Sequence, residues 1–354
     1  MGVKTLFLHL GLGKCGSSSI QSAFSLCPEH VDKDGDPLRY VALGQEQVLG
    51  PRLVRERAQR SAHAYTASVA PAGLVRRSER SRQRAARFLQ AQSGASLFLS
   101  NEGWSPAFAY PGFCAAIEEL IQQCSPRKTT AIVVVRPPVE WVNSAWWQWG
   151  AWQPEPDFER WFQSVLPSLS WQSQLDTLKR RFPDVQGRVL PLKPTLLTDV
   201  AVLCGLEATA LASVDRAANQ SLPAVVLRLY QAFPELRPGP HASGIDFSIL
   251  SALADADPGV SFQRAPWVIN EDQIQEILTQ TQAGVEALMD AMVPADAAAV
   301  QEDRRWWAAE AYNDRTIEDP LQGHCPDLAA YARLITVAYR TLHLQSLDAA
   351  SSER

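Results

Sequence analysis

Residues 11–19 read Gly-Leu-Gly-Lys-Cys-Gly-Ser-Ser-Ser and follow directly on the apolar run Thr5 to Leu10. A strand that breaks at glycines and restarts as a helix presents backbone N–H groups at the positive end of that helix, which makes an anion site. Lys14 adds a full charge, Ser17, Ser18 and Ser19 add hydroxyl donors, and Cys15 and Gly16 supply backbone N–H groups between them. This donor set suits a phosphate. The order differs from the nucleoside-triphosphate loop Gly-x-x-x-x-Gly-Lys-[Ser/Thr], because here the lysine precedes the last glycine. Gly11, Gly13 and Gly16 also spell Gly-x-Gly-x-x-Gly, but a lysine inside the turn and the lack of an acid-ended strand about 20 residues on disfavour a dinucleotide turn. Cys15 is followed six residues later by Gln21, where a cysteine phosphatase needs arginine.

Two further positions carry chemistry. Arg136 ends the apolar run Thr130 to Val135, where magnesium-dependent phosphoryl-transfer enzymes of this layout place an Asp, and Ser144 lies eight residues later in a helical segment. Glu102 follows the run Leu97 to Ser100; a carboxylate at the carboxyl edge of an open α/β sheet is placed to take a proton from a substrate. His9, inside the first apolar run, is the weaker base and reads as a core residue.

The elements that must position these residues are short apolar strands separated by helical stretches. Thr5 to Leu10, Leu97 to Ser100, Thr130 to Val135 and Arg188 to Leu192 read as buried parallel strands, with Arg39 to Gly44 as a further short one. Alternation with helices predicts an α/β layered domain. Beyond about residue 195 the pattern turns helical, with amphipathic candidates at 222–233, 271–292 and 326–345. A single domain over 1–345 is expected, with a basic helical insertion at about 50–92, a helical part at about 220–345 and a flexible tail at 346–354.

The chain has 354 residues, 46% of them hydrophobic, which allows a large core. Its net charge of −5 argues against general nucleic-acid affinity. Residues 52–87 run against that balance: ten arginines against Glu56 and Glu79 give +8, leaving −13 for the rest. The six cysteines show no paired or metal-ligand spacing, so free thiols in a reducing compartment, no metal and a cytoplasmic location are expected. No secretory layout and no apolar stretch of membrane-spanning length is present. Seven tryptophans fall between 141 and 171, either as packing or as a flat platform for sugar rings.

Leu-His-Leu-Gly-Leu-Gly-Lys-Cys-Gly-Ser-Ser-Ser, residues 8–19, resembles the 5'-phosphosulfate loop of sulfotransferases that use 3'-phosphoadenosine 5'-phosphosulfate (PAPS), written Leu-His-Ile-Gly-x-x-Lys-Thr-Gly-Thr-Ser-Ser. Cys15 stands where Thr or Ser is commoner. Residues 132–148 are similar to the family's 3'-phosphate segment, a strand ending in Arg and then a helical Ser, here Arg136 and Ser144. Residues 98–105 are similar to a Ser-Glu-Gly strand end of bacterial-type members, and 218–229 to their Asn-x-Ser-Leu segment. The resemblance implies a P-loop-like three-layer α/β fold with a central parallel sheet, PAPS as co-substrate without metal, and a hydroxyl acceptor, carbohydrate by preference. It further implies that Lys14 assists the leaving phosphate, Lys14 to Ser19 cradle the 5'-phosphate, Arg136 and Ser144 hold the 3'-phosphate, and Glu102 is the base. A kinase-like enzyme and a nucleotide-binding protein without turnover are the alternatives.

Overall fold

A computed structural model describes residues 2–61, 65–211, 222–237 and 265–317, together with 239, 246, 249, 332, 333, 335 and 336. The strands are β1 (Thr5–Leu10), β2 (Glu29–Val31), β3 (Pro37–Tyr40), β4 (Ala42–Leu43), β5 (Val48–Leu49), β6 (Ser96–Asn101), β7 (Lys128–Val135) and β8 (Val185–Pro191). Six of them form one mixed sheet in the order β2-β3-β6-β1-β7-β8, parallel throughout except for the antiparallel edge pair β2–β3; β4 and β5 form a separate hairpin pair.

Apolar runs became strands where both faces are covered. All of β1 beyond Thr5 is buried, as is all of β7 beyond Lys128. Such strands read as continuous rather than alternating hydrophobicity, because helices lie on both sides of a parallel sheet. The expected strand over Arg39 to Gly44 is divided: β3 stops at Tyr40 and β4 starts at Ala42. β2 was not expected, and its Glu-His-Val sequence, with Glu29 and Val31 exposed, carries no buried-strand pattern.

The helices are α1 (Ser17–Leu26), α2 (Pro51–Arg60), α3 (Pro71–Val75), α4 (Glu79–Gln90), α5 (Trp104–Ala107), α6 (Pro111–Cys124), α7 (Pro138–Gln148), α8 (Phe158–Val165), α9 (Trp171–Arg181), α10 (Leu196–Leu203), α11 (Ala224–Ala232), α12 (Glu271–Met289) and α13 (Pro294–Glu302). Helix α1 buries Ile20, Ala23 and Phe24, spaced three and four apart on one face. Phe24 stacks on Phe98 of β6 at 4.1 Å and on Tyr40 of β3 at 5.7 Å between centroids. Burying each such ring contributes about 1.5–3 kcal/mol, so α1 is fixed on the sheet next to the strand it leaves.

The chain divides into two compact units. Met1–Pro138, Ser168–Ala218 and Leu278–Trp307 form the first, which contains the whole sheet; Val139–Pro167, Asn219–Ile277 and Ala308–Arg354 form the second. In the second unit Trp146 packs on Trp161 at 5.5 Å and Trp141 on Trp149 at 6.0 Å, while the Trp147 indole donates to Pro266 O at 2.7 Å. Five of the seven clustered tryptophans (141, 146, 147, 161 and 171) are buried, which assigns them to packing rather than to a platform. The third helical candidate, 326–345, lies almost wholly outside the described residues, and the tail 346–354 lies entirely outside them. No helix among the described residues is long and apolar enough to cross a membrane.

Candidate functional site

The glycine turn sits at the carboxyl end of β1, the strand flanked by β6 and β7. Register places Leu10 opposite Asn101 and His9 opposite both Ser100 and Ile132, so the residues that follow β6 and β7 leave the sheet on either side of the turn. Adjacent strands lie about 4.8 Å apart. Glu102, 91 positions beyond Gly11 in sequence, is thus brought against it: a Cβ added to Gly11 would lie 2.6 Å from Glu102 Cα and 2.5 Å from Ser17 Oγ. Only glycine permits this approach, and the Gly11 N–H donates to Asn101 O at 3.0 Å. The Glu102 side chain is exposed.

Within the turn, Lys14 adopts φ 65° and Gly16 φ 80°, both left-handed. Gly16 precedes α1, which has no side-chain cap and no acidic residue in its first turn. The N–H groups of that turn have no acceptor within the helix, and no carboxylate of the helix competes for them. Ser17 is buried with its hydroxyl directed at Leu12 O, 3.5 Å away; Ser18 and Ser19 are half-buried. Arg136, the first residue past β7, donates from Nη1 to Lys14 O at 3.1 Å, so the strand-end arginine lies on the turn itself. Lys14, Cys15, Gly16, Ser17, Ser18, Ser19, Glu102 and Arg136 all belong to the first unit. Ser144 is half-buried on α7 in the second unit. Asn219 and Ser221, from the loosely similar segment, lie outside the described residues.

Cys15 is fully buried, and burial pushes its thiol up to about 12 against the opposing pull of the Arg136 and Lys14 charges. It therefore lines the turn as an uncharged group and is no nucleophile. His9 is equally buried, its ring held down to about 4 by desolvation, with Nδ1 2.7 Å from the Ser100 hydroxyl, to which Gln21 donates at 3.0 Å. A neutral histidine sealed in the core cannot serve an acceptor as base.

Tyr65 was missed in the sequence. Its phenol and the Ser18 hydroxyl are hydrogen-bonded, and burial together with the negative charge of Glu102 raises it above the ordinary tyrosine range, so it stays protonated. The strap that carries it is tied down on both sides. Thr66 N–H donates to Ser25 Oγ of α1 at 3.0 Å, Ser68 N–H to Ser100 O of β6 at 2.9 Å, and Asn101 Nδ2 to Ser68 O at 2.6 Å. Asn101 also accepts from Gly103 N–H at 2.7 Å, which shapes the bend bearing Glu102. A lone tyrosine after an arginine-rich helix carries no signal in spacing; only the fold brings it to Ser18.

Asp32, Asp34 and Asp36 form the one metal-ligand-like cluster among the described residues. Lys4 Nζ already lies 3.0, 3.2 and 2.5 Å from their carboxylates, an ammonium in the place a cation would take. Cys15, Cys27, Cys114, Cys124 and Cys204 are free thiols. No family model, curated protein or solved structure matches the chain.

Proposed function

We propose that the protein is a sulfotransferase of P-loop-like α/β type, moving a sulfuryl group from PAPS to a hydroxyl acceptor, carbohydrate by preference. The observation that carries this reading is the meeting of three strand ends. The glycine turn after β1 supplies donors, Arg136 after β7 a guanidinium fixed to that turn, and Glu102 after β6 a carboxylate beside it. The donor set fits a phosphate and needs no metal: one ammonium, one guanidinium, helix N–H groups and hydroxyls. An arginine past β7, in place of a magnesium-holding acid, favours this reading over a kinase. Burial of an uncharged Cys15 keeps the substitution at that position compatible with anion binding.

When bound, PAPS brings the transferable sulfuryl group and its phosphate leaving group. Lys14 opposes the negative charge that grows on the 5'-phosphate, and the α1 N–H groups hold that phosphate in place. Arg136 is assigned the 3'-phosphate. Glu102 takes the acceptor hydroxyl's proton as its oxygen bonds to sulfur and the bridging S–O bond breaks, which leaves 3'-phosphoadenosine 5'-phosphate.

Thermal-shift comparison tests the cofactor. The expected result is that 3'-phosphoadenosine 5'-phosphate stabilises the protein without metal and more than adenosine 5'-phosphate does; equal stabilisation by both, or a strict need for magnesium, removes the reading. Glu102→Gln should keep that affinity and lower turnover by about 100- to 10,000-fold, the range for a lost general base. Near-normal turnover of Glu102→Gln would make Glu102 a structural residue.

A further inference from the structure

The described part of the basic segment carries helices α2, α3 and α4 of the first unit, and apart from the buried Arg77 and the half-buried Arg82 its arginines stay on the surface. Arg55, Arg57, Arg76, Arg80, Arg84 and Arg87 are exposed and form no ion pair among the described residues. The segment's two carboxylates are already engaged, Glu56 with Arg52 at 2.8 Å and Glu79 with Arg82 at 2.9 Å. Arg80, Arg84 and Arg87 stand four and three residues apart, one stripe of α4. The Phe88 ring on α4 lies 3.2 Å from where a Cβ of Gly50, the residue before α2, would sit, so the end of α4 abuts the start of α2. The two helices thus present adjacent arginine surfaces on a protein whose remaining sequence carries −13.

We propose that this arginine face of α2 and α4 is a docking surface for an anionic polysaccharide, and that such a chain is the acceptor. The second half rests on the sulfuryl-transfer reading. Three observations choose this partner. First, α2 ends close to the site along the chain: Arg60 is five residues before Tyr65, a span that cannot exceed about 18 Å, and Tyr65 is hydrogen-bonded to Ser18. Pro71 of α3 likewise lies 3.5 Å from where a Cβ of Gly103, beside Glu102, would be. A chain held on the face is therefore within reach of the base.

Second, every cation of the face is arginine, whose planar fork pairs bidentately with carboxylate and sulfate esters and is less strongly hydrated than an ammonium. Third, the face lacks what other polyanions need. Among the described residues of the segment, the exposed large apolar ones are Leu53 and Val75, too few to enter a bilayer. Neither described aromatic of the segment is exposed for stacking single-stranded bases, since Phe88 is turned onto Gly50 and Tyr65 onto Ser18. Acidity over the rest of the chain disfavours a duplex that extends past the face.

The test uses the full chain, a fluorescent sulfated uronic-acid octasaccharide (heparin-derived), a neutral dextran oligosaccharide of equal length, duplex DNA matched in charge count, and phosphatidylserine vesicles. The octasaccharide should bind with strong salt dependence and at least about tenfold more tightly than the other three. Arg80→Ser/Arg84→Ser/Arg87→Ser should weaken that binding at least about tenfold and reduce the log–log salt slope by about two to three, one fraction of an ion per lost contact. Arg180→Ser/Arg181→Ser, on the exposed basic end of α9, should leave it within about twofold. With PAPS present, the anionic oligosaccharide but not dextran should accelerate release of 3'-phosphoadenosine 5'-phosphate, and the α4 triple variant should raise its KM without losing affinity for that nucleotide. Tighter binding of DNA or vesicles, equal use of dextran, or a triple variant with unaltered KM overturns the proposal. Failure of wild type to bind the nucleotide overturns the transfer reading instead and is read separately by calorimetry.

Discussion

Gly11→Ala is the sharpest probe of how fold and site are joined. The added methyl would meet Ser17 Oγ at 2.5 Å, Glu102 Cα at 2.6 Å and Glu102 Cβ at 3.1 Å. A serine hydroxyl can rotate away, but a backbone Cα cannot, so the ends of β1 and β6 must part. The hydrogen bond between Gly11 N–H and Asn101 O, 3.0 Å long, lies at the same point and weakens with them. Overpacking of about 1–3 kcal/mol and one impaired backbone bond of about 1 kcal/mol sum to about 2–4 kcal/mol of lost stability. Gly187→Ala on β8 is the control, because a Cβ there meets nothing within 4 Å; it should change stability by less than about 1 kcal/mol, and toward stabilisation. Urea unfolding followed by tryptophan fluorescence gives the comparison, and calorimetry with 3'-phosphoadenosine 5'-phosphate reports the site. If Gly11→Ala were as stable as Gly187→Ala and bound the nucleotide as tightly as wild type, the close approach of Glu102 to the turn would be wrong.

Lys14→Ala should lower kcat by about 100- to 1,000-fold while weakening cofactor binding less, whereas Arg136→Ala should act chiefly on binding; steady-state kinetics with the two patterns exchanged would reverse the assignments. Tyr65→Phe removes one hydroxyl from the Ser18 network, worth about 1 kcal/mol, so nucleotide affinity should fall about fivefold; calorimetric affinity within twofold of wild type takes Tyr65 out of the cradle. His9, held at about 4 in the fold against 6.5 for the ordinary ring, binds its proton more readily in the unfolded chain. Stability should thus be full above pH 6.5 and drain away as pH falls toward 4, by about 3 kcal/mol from this residue. Urea titrations of His9→Gln across that window should lose this slope, and a slope equal to that of wild type would refute a buried neutral histidine.

The strands that build the site were legible because each is an apolar run closed by a chemically distinct residue: glycine after β1, Asn101 and Glu102 at β6, Arg136 after β7. Their neighbourhood was not legible. Nothing in the order β1, β6, β7 along the chain says that β1 lies between the other two, yet that order alone sets Glu102 and Arg136 at the glycine turn. Tyr65 was hidden for the same reason, since its strap is held by Ser25, Ser100 and Asn101 across the fold. The edge strand β2 escaped because a solvated Glu-His-Val triplet carries no hydrophobic period. The division into two units passes between Pro138 and Val139, within α7, where no composition change marks a linker.

Lys14 and Ser125 are the two non-glycine residues with positive φ among those described, at 65° and 41°. Ser125 follows the end of α6, where chains commonly turn left-handed to close a helix. Lys14 ends no helix, and for a residue with a Cβ the conformation costs about 1–2 kcal/mol. Glycine at that position would remove the cost together with the charge. The strain is held by an arginine 122 residues away, whose Nη1 takes the Lys14 carbonyl. That bond has an electrostatic consequence. With its oxygen occupied by a guanidinium, the strained peptide no longer offers an arriving anion a bare carbonyl dipole, and the two cations of the site are fastened to a single peptide. An anion between the helix N–H groups and these charges would reinforce the conformation that positions them, so binding and local order at residues 12–16 are coupled in the same direction.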